Sequence, residues 1–213
     1  MIDYLRDPDE ITRRSFALIR REAALERLPP GLRGLAARLV HACGMPDIIG
    51  DLAFSDDAVD AGRAALEAGA PVLVDARMVA QGIARARLPA GNQVVCTLNR
   101  ARVPALAKRL GTTRAAAAVA LWRRHLDGAV VAIGNAPTAL FRLLELIAEG
   151  GPRPALILGF PVGFVGAPEA KAALAAHHDG VAFITLLGRR GGSALAAAAV
   201  NALAGDGLPE DTP

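Results

Sequence analysis

One histidine in this sequence stands where a side chain could deliver a proton. His41 lies in the last turn of the apolar segment 38–43, and Gly44 follows as the expected C-cap of a helix. The negative end of a helix favours the positively charged imidazolium, so this position suits an acid. A histidine at an apolar helix end can also be purely structural, and the residues alone leave both interpretations open. The other three histidines have the pattern of surface residues at helix ends: His125, His177 and His178.

Three glycine-rich segments could bind an anion through their backbone amides. They are residues 134–138 (GNAPT), 159–166 (GFPVGFVG) and 188–193 (GRRGGS), and each leads from a short apolar run into a helical pattern. Such turns lie at the carboxyl ends of the strands in an open α/β sheet, where ligands bind. Arg189 and Arg190 flank the third turn, and guanidinium groups suit carboxylates and phosphates. Glycine also serves tight turns for geometry alone, so each turn taken singly is compatible with a structural role.

The first of these turns has the pattern of a helix entrance. Asn135 is expected to cap the next helix and Pro137 to lie in its first turn, which would leave amides exposed to an anion. Neither common nucleotide motif is present, because the chain has no G-x-x-x-x-G-K-[ST] and no G-x-G-x-x-G after its first strand. The sequence therefore predicts an anion site without the usual phosphate code.

The elements that must position these residues follow an alternating pattern. Five short apolar runs predict strands buried on both faces, as in a parallel sheet, at residues 71–74, 93–97, 129–133, 155–158 and 181–187. Helical patterns come before and between them, at residues 9–26, 32–42, 56–68 (with Ser55 as its cap), 76–86, 104–126, 137–149, 167–176 and 192–204. This alternation predicts an α/β fold: a three-layer α/β/α sandwich around a flavodoxin-like, five-stranded, mainly parallel sheet, with an N-terminal helical extension.

Length and composition restrict the class of protein. The 213 residues suit a single domain, with N-terminal helices over 1–69, a doubly wound sheet over 70–205 and a frayed tail over 206–213. No apolar run is long enough to span a membrane, and the charged N-terminal segment predicts a cytoplasmic protein. Cys43 and Cys96 lack metal-ligand spacing, so we expect no metal. A net charge of +3 and 4 % aromatic residues argue against nucleic acid.

Several of these segments together resemble the precorrin-8X methylmutase family of cobalamin biosynthesis. The similarity runs over about residues 3–205 and is carried by VHACG at 40–44, DARMVAQG at 75–82, Thr113-Arg114, IGNAPTAL at 133–140, PVGFVG at 161–166 and GRRGGS at 188–193. The resemblance implies the flavodoxin-like sandwich and an isomerase without cofactor or metal. Its substrate would be precorrin-8X, in which a methyl group moves from ring carbon 11 to carbon 12 to give hydrogenobyrinate.

The resemblance also implies roles for individual residues. The family histidine that matches His41 is thought to protonate a pyrrole nitrogen, and Ser15 and Arg114 match positions near it that would hold a carboxylate or orient the ring. Ala115 and Ala170 stand where the family more often has Ser, which affects local hydrogen bonds only. The remaining residues expected to bind the macrocycle and its acetate and propionate arms are Arg77, Thr113, Asn135, Thr138, Gly163, Phe164, Val165, Lys171, Arg189, Arg190, Gly191 and Ser193.

Other functions stay open at this point. The family resemblance implies a homodimer and a possible transfer of product to the next pathway enzyme, without nucleic acid or membrane. The same fold could serve a non-catalytic corrinoid carrier, or a cobalt-precorrin-8 methylmutase of the anaerobic route. A nucleotide- or phosphosugar-binding enzyme is disfavoured by the missing motifs.

Overall fold

The computed structural model describes residue 2 and residues 4–205, and a six-stranded sheet runs through it. The strands are β1 Leu52–Phe54, β2 Val72–Val74, β3 Val94–Cys96, β4 Val130–Ile133, β5 Leu156–Gly159 and β6 Ala182–Leu186. Their order across the sheet is β1-β6-β5-β4-β2-β3. Strands β2 to β6 are parallel and have the predicted flavodoxin-like order, so the predicted fold class is confirmed.

The predicted number of five strands is wrong, because β1 adds a sixth. It pairs antiparallel with β6, with Leu52 opposite Leu186 and Phe54 opposite Ile184. Strand β1 lies within residues 1–69, where helices alone were expected, and has only three half-buried residues. A run of that length carries no readable period, and only its pairing with β6 makes it a strand.

Nine α-helices flank the sheet in the described part of the chain. They are α1 Pro8–Glu22, α2 Pro30–Cys43, α3 Ala58–Glu67, α4 Arg77–Gly82, α5 Val103–Leu110, α6 Arg114–Val119, α7 Pro137–Ala148, α8 Ala167–Ala176 and α9 Ser193–Ala204. The helix predicted over 104–126 is in fact α5 and α6. Gly111 ends α5 in the left-handed conformation (φ 59°), and the Thr113 hydroxyl caps α6.

Ser55 does not cap α3, contrary to the sequence prediction. Its hydroxyl accepts a hydrogen bond from the Phe183 amide at 3.0 Å, and Asp57 precedes the helix without a side-chain cap bond. The serine therefore fixes the start of the chain after β1 against β6, which is a contact between segments far apart in sequence.

The core has two main layers, one on each face of the sheet, and a small separate cluster between α5 and α6. One layer joins helices α1 to α4 and α9 to the sheet, and it includes Leu39, Val74 and Leu158. The other joins α7 and α8 to the opposite face, where Leu73 and Trp122 are buried. Both faces are thus covered, as a parallel sheet requires.

Two further sequence predictions concern the C-terminal tail and membrane-spanning helices. The tail predicted over 206–213 lies outside the described residues. Among residues 4–205, no helix has the length and apolar character needed to cross a membrane.

Candidate active site

The three predicted glycine turns meet at the carboxyl edge of the sheet. The Gly192 amide, before α9, donates to the Phe160 carbonyl after β5 at 2.8 Å, and the Gly163 amide donates to the Arg189 carbonyl at 3.1 Å. The turn after β4 packs closely against the start of α9: a Cβ on Gly134 would lie 2.7 Å from the Ser193 Cα. The strands thus bring the three turns together, as their parallel order requires.

The amides of the turn after β4 already hold an anion, which is Asp75. This carboxylate follows β2, is 3 % exposed, and accepts hydrogen bonds from the amides of Gly134, Asn135 and Ala136 at 2.9, 3.0 and 2.7 Å. Burial raises the pKa of the Asp75 carboxyl, and the three amide donors offset part of that rise. The expectation that these amides are open to a ligand is therefore wrong.

The predicted role of Asn135 as a helix cap is also wrong. Residue Ala136 is the N-cap of α7 and makes no side-chain cap bond, whereas Pro137 begins the helix as predicted. The turn is held by Asp75 instead, which leaves the Asn135 side chain exposed at the edge of the sheet.

Polar side chains connect the turns after β3 and β4. The hydroxyls of Thr113 and Thr138 lie 2.8 Å apart, and the Arg114 guanidinium donates to the Asn99 side chain at 3.3 Å. Thr113, Arg114 and Asn99 are exposed. Three of the predicted site residues, Thr113, Arg114 and Thr138, therefore form one cluster at this edge.

His41 is exposed at the end of α2. Its ring stacks on Phe16 of α1, with 5.0 Å between ring centroids and 15° between ring planes. Gly44 ends the helix with φ 69°, and its amide donates to the Val40 carbonyl, as predicted. Ser15, the neighbour of Phe16, donates its hydroxyl to the Ile11 carbonyl within α1 at 2.7 Å.

Arg190 joins the segment after His41 to the turn before α9. Its guanidinium binds the Asp47 and Asp51 carboxylates at 2.5 and 2.6 Å, and these two hydrogen bonds raise its pKa. Asp47 and Asp51 belong to the 3-10 turn Pro46–Asp51 that follows α2. Arg190 thus binds carboxylates of its own chain, which is not the role of a free substrate ligand that the sequence predicts.

Lys171 is buried beneath the same turn. Its side chain in α8 is fully inaccessible, and Nζ donates to the Arg190 carbonyl at 2.5 Å. Burial lowers the pKa of this amine to about 8, and the Asp51 charge opposes that shift. Lys171 supports the turn from below and does not reach the surface where a ligand would lie.

The turns after β5 and β6 form an apolar rim. Phe164 and Val165 are 79 % and 90 % exposed, and the Arg189 guanidinium lies over the Phe164 ring, 5.3 Å from its centroid. Gly191 is required for close approach, because a Cβ there would lie 2.5 Å from the Phe160 carbonyl oxygen. Gly163 has φ 144°, and Ser193 begins α9.

Arg77 is exposed beside the edge strand β3. It lines a depression of about 340 Å³ together with Arg85, Asn99 and Arg100. Sequence reasoning missed Arg85 and Arg100, and it also missed Asp75. A charged residue placed directly after a buried strand is a signal that could have identified Asp75.

Residues 2 and 4–205 contain no group of three or more His, Cys, Asp or Glu side chains that could hold a metal ion. Cys43 and Cys96 are free and half-buried.

The strand order and the turns gathered at one edge define a flavodoxin-like α/β protein, a class in which ligands bind at the carboxyl ends of the strands. The chain belongs to the precorrin-8X methylmutase family, whose model, described as "CbiC: Precorrin-8X methylmutase", matches residues 10–205. The resemblance found in the motifs is thereby confirmed.

Individual relatives agree over nearly the whole chain. A precorrin-8X methylmutase of Pseudomonas aeruginosa is 64 % identical over 204 residues, covering 96 % of this chain and 98 % of the relative. One from Sinorhizobium sp is 58 % identical, covering 97 % and 98 %. The crystal structure of precorrin-8X methylmutase from Thermus thermophilus matches with a TM-score of 0.83 and 44 % identity, covering 92 % of this chain and 94 % of that one.

Proposed function

We propose that this protein is a precorrin-8X methylmutase, an isomerase that converts precorrin-8X to hydrogenobyrinate. The family match and the identities with enzymes of that name support this proposal. The methyl group moves from ring carbon 11 to carbon 12: its bond to carbon 11 breaks as the bond to carbon 12 forms. The shift lies within one molecule, so no group leaves and no electrons are gained or lost overall.

The position of His41 is the observation that carries the mechanism. Its imidazole is exposed at the end of α2 and stacked on Phe16, while Arg190 ties the following turn to the glycine-rich edge. His41, as imidazolium, donates a proton to a pyrrole nitrogen of the bound substrate. This makes the ring carbon that receives the methyl group more electrophilic, and the imidazole takes the proton back from that nitrogen as the product forms, so no proton is gained or lost overall.

Side chains around the edge bind and orient the macrocycle. The cluster of Thr113, Arg114 and Thr138 offers two hydroxyls and a cation to a carboxylate arm. Phe164 and Val165 offer an apolar surface to the flat ring, and their exposure supports that role. The other residues proposed to contact the substrate or shape its site are Ser15, Asn135, Gly163, Arg189, Gly191 and Ser193.

Lys171 and Arg190 are positioning residues in this proposal. Lys171 holds the backbone of Arg190, and Arg190 holds Asp47 and Asp51 just beyond His41. The pair therefore sets the position of the acid relative to the substrate-binding edge without touching the substrate.

A single-turnover assay of the purified protein tests the function. Excess protein mixed with precorrin-8X is expected to give hydrogenobyrinate, followed by absorbance and mass spectrometry. Binding without conversion would identify a corrinoid carrier instead. The same assay with cobalt-precorrin-8 separates the two methylmutase routes, and faster conversion of the cobalt form would contradict the proposed substrate.

We further propose a homodimer that transfers its product to the next enzyme of the pathway, as the family resemblance implies. Location in the cytoplasm stays a prediction from the sequence.

A further inference from the structure

A long stretch of this chain contains no acidic residue. Residues 76–126, termed here the basic segment, include nine arginines and one lysine but no Asp or Glu. Their formal charge is therefore +10, although that of the whole chain is +3, so the other residues together carry −7. The basic residues of the segment are Arg77, Arg85, Arg87, Arg100, Arg102, Lys108, Arg109, Arg114, Arg123 and Arg124.

The fold gathers this charge at one end of the sheet. The basic segment forms α4, β3, α5 and α6, and β3 is the edge strand. Elsewhere, arginines bind acids: Arg142 binds Glu145 and Glu149, and Arg190 binds Asp47 and Asp51. Within residues 4–205, none of the observed ion pairs includes a residue of the basic segment.

Two depressions lie on either side of β3. One, of about 340 Å³, is lined by Arg77, Arg85 and Arg100 and by the Asn99 amide. The other, of about 380 Å³, is lined by Arg100, Arg102 and His125. Arg100 borders both, and neither lining includes an acidic side chain.

The first depression adjoins the active-site edge. Asn99, which lines it, accepts a hydrogen bond from Arg114, whose neighbour Thr113 contacts Thr138 at the entrance to α7. Another residue of the basic segment lies near the helix that carries His41: burial, and then the nearby charge of Arg87, lower the pKa of Arg38, one turn before His41. Positively charged residues of the basic segment therefore lie near α2, in the depression and near α7.

We propose that the depression lined by Arg77, Arg85 and Arg100 binds carboxylate groups of the ligand, and that the basic segment draws a polycarboxylate to this edge of the sheet. Unpaired guanidinium groups in a concave site favour planar carboxylates, which they bind through two parallel hydrogen bonds. A surface of one sign also raises the rate of encounter with an oppositely charged ligand. The proposal rests on the proposed function for the ligand itself, a tetrapyrrole with several carboxylate arms.

Titration with hydrogenobyrinate tests this proposal. In R77Q/R100Q the dissociation constant is expected to rise about 30-fold, and in R85Q about three- to tenfold, as for partly exposed charge pairs. R109Q removes one positive charge from the same segment, as R85Q does, but lies at the end of α5 outside both depressions, and its dissociation constant should stay within about twofold of the wild-type value. Raising the salt concentration should weaken binding more in the wild type than in R77Q/R100Q, because the variant has fewer charges to screen.

Each result has a distinct meaning. If R77Q/R100Q and R109Q bind the product equally well while the wild type converts precorrin-8X, the carboxylate site is refuted and the enzyme function stands. A wild-type protein that neither binds hydrogenobyrinate nor converts the substrate refutes the proposed function itself. If R77Q/R100Q loses single-turnover rate at saturation with unchanged affinity, the arginines act on chemistry and the binding proposal fails. Circular dichroism of each variant excludes misfolding as the cause.

Discussion

Charged side chains at this edge of the sheet divide into those that hold the protein together and those that face solvent. Asp75, Lys171 and Arg190 each bind groups of their own chain. His41 and Arg77 are exposed, and no hydrogen bond or ion pair to the rest of the described chain occupies them. The first set builds the turns, and the second is left to meet a ligand.

This division could be predicted only in part from the sequence. The position of His41 at a helix end depends on residues that are close in sequence, so Gly44 could be predicted as the C-cap. The partners of Asp75 lie 59 to 61 residues away, and Arg190 meets Asp51 across 139 residues. Local patterns contain no information on such distant pairs, so the residues used for structure could not be separated from those left free.

The buried amine of Lys171 makes the free energy of unfolding depend on pH in the alkaline range. Its folded pKa of about 8 lies below the value of 10.5 for an unperturbed lysine, so the unfolded chain binds the proton more tightly. Stability relative to K171M should therefore rise as the pH increases from about 8 to about 10.5, by roughly 3 kcal/mol. Urea unfolding of both proteins at pH 7, 9 and 10.5 measures this change. A pH-independent difference between them would show that the amine is solvated.

At the scale of elements, the site depends on the close fit between turns and helices. Gly134 packs on the first residue of α9, and Gly191 packs on the backbone after β5. Strands β4, β5 and β6 were predicted from their apolar runs because buried parallel strands are continuously hydrophobic. Strand β1 and the break between α5 and α6 were missed, since one is too short and the other depends on Gly111 and Thr113 in an otherwise helical pattern.

Replacing Gly134 by Ala should separate two of the turns. The new Cβ would lie 2.7 Å from the Ser193 Cα, which is backbone and cannot rotate away. We expect a loss of about 1–3 kcal/mol in the free energy of unfolding, together with weaker product binding. Gly50→Ala is the matched control, because nothing lies within 4 Å of a Cβ there. Equal stability of the two variants, measured by urea unfolding, would contradict the close packing.

At the scale of the whole molecule, charge and exposed apolar surface are unevenly distributed. The basic segment surrounds the edge strand β3, while Phe164 and Val165 project from the rim formed by the turns. The total charge of +3 hides this separation, which is why composition alone did not suggest it. The order of the parallel strands, in contrast, followed from the alternation of runs and helices along the chain.

Association into a homodimer is measurable without substrate. Sedimentation equilibrium is expected to give twice the chain mass of 22.0 kDa. Exposed aliphatic side chains such as Ile11 and Leu18 of α1 are typical of surfaces that are covered on association. A mass of 22.0 kDa at micromolar concentration would contradict the dimer.

The most direct measurement of the central claim compares His41→Ala with the wild type in single turnover on precorrin-8X. General acid catalysis contributes about 100- to 10,000-fold, so we expect the rate of methyl migration to fall by at least about 100-fold. The affinity for hydrogenobyrinate should stay within about threefold, because the carboxylate-binding residues lie elsewhere. Methyl migration by the variant at a near wild-type rate would contradict the assignment of His41 as the acid.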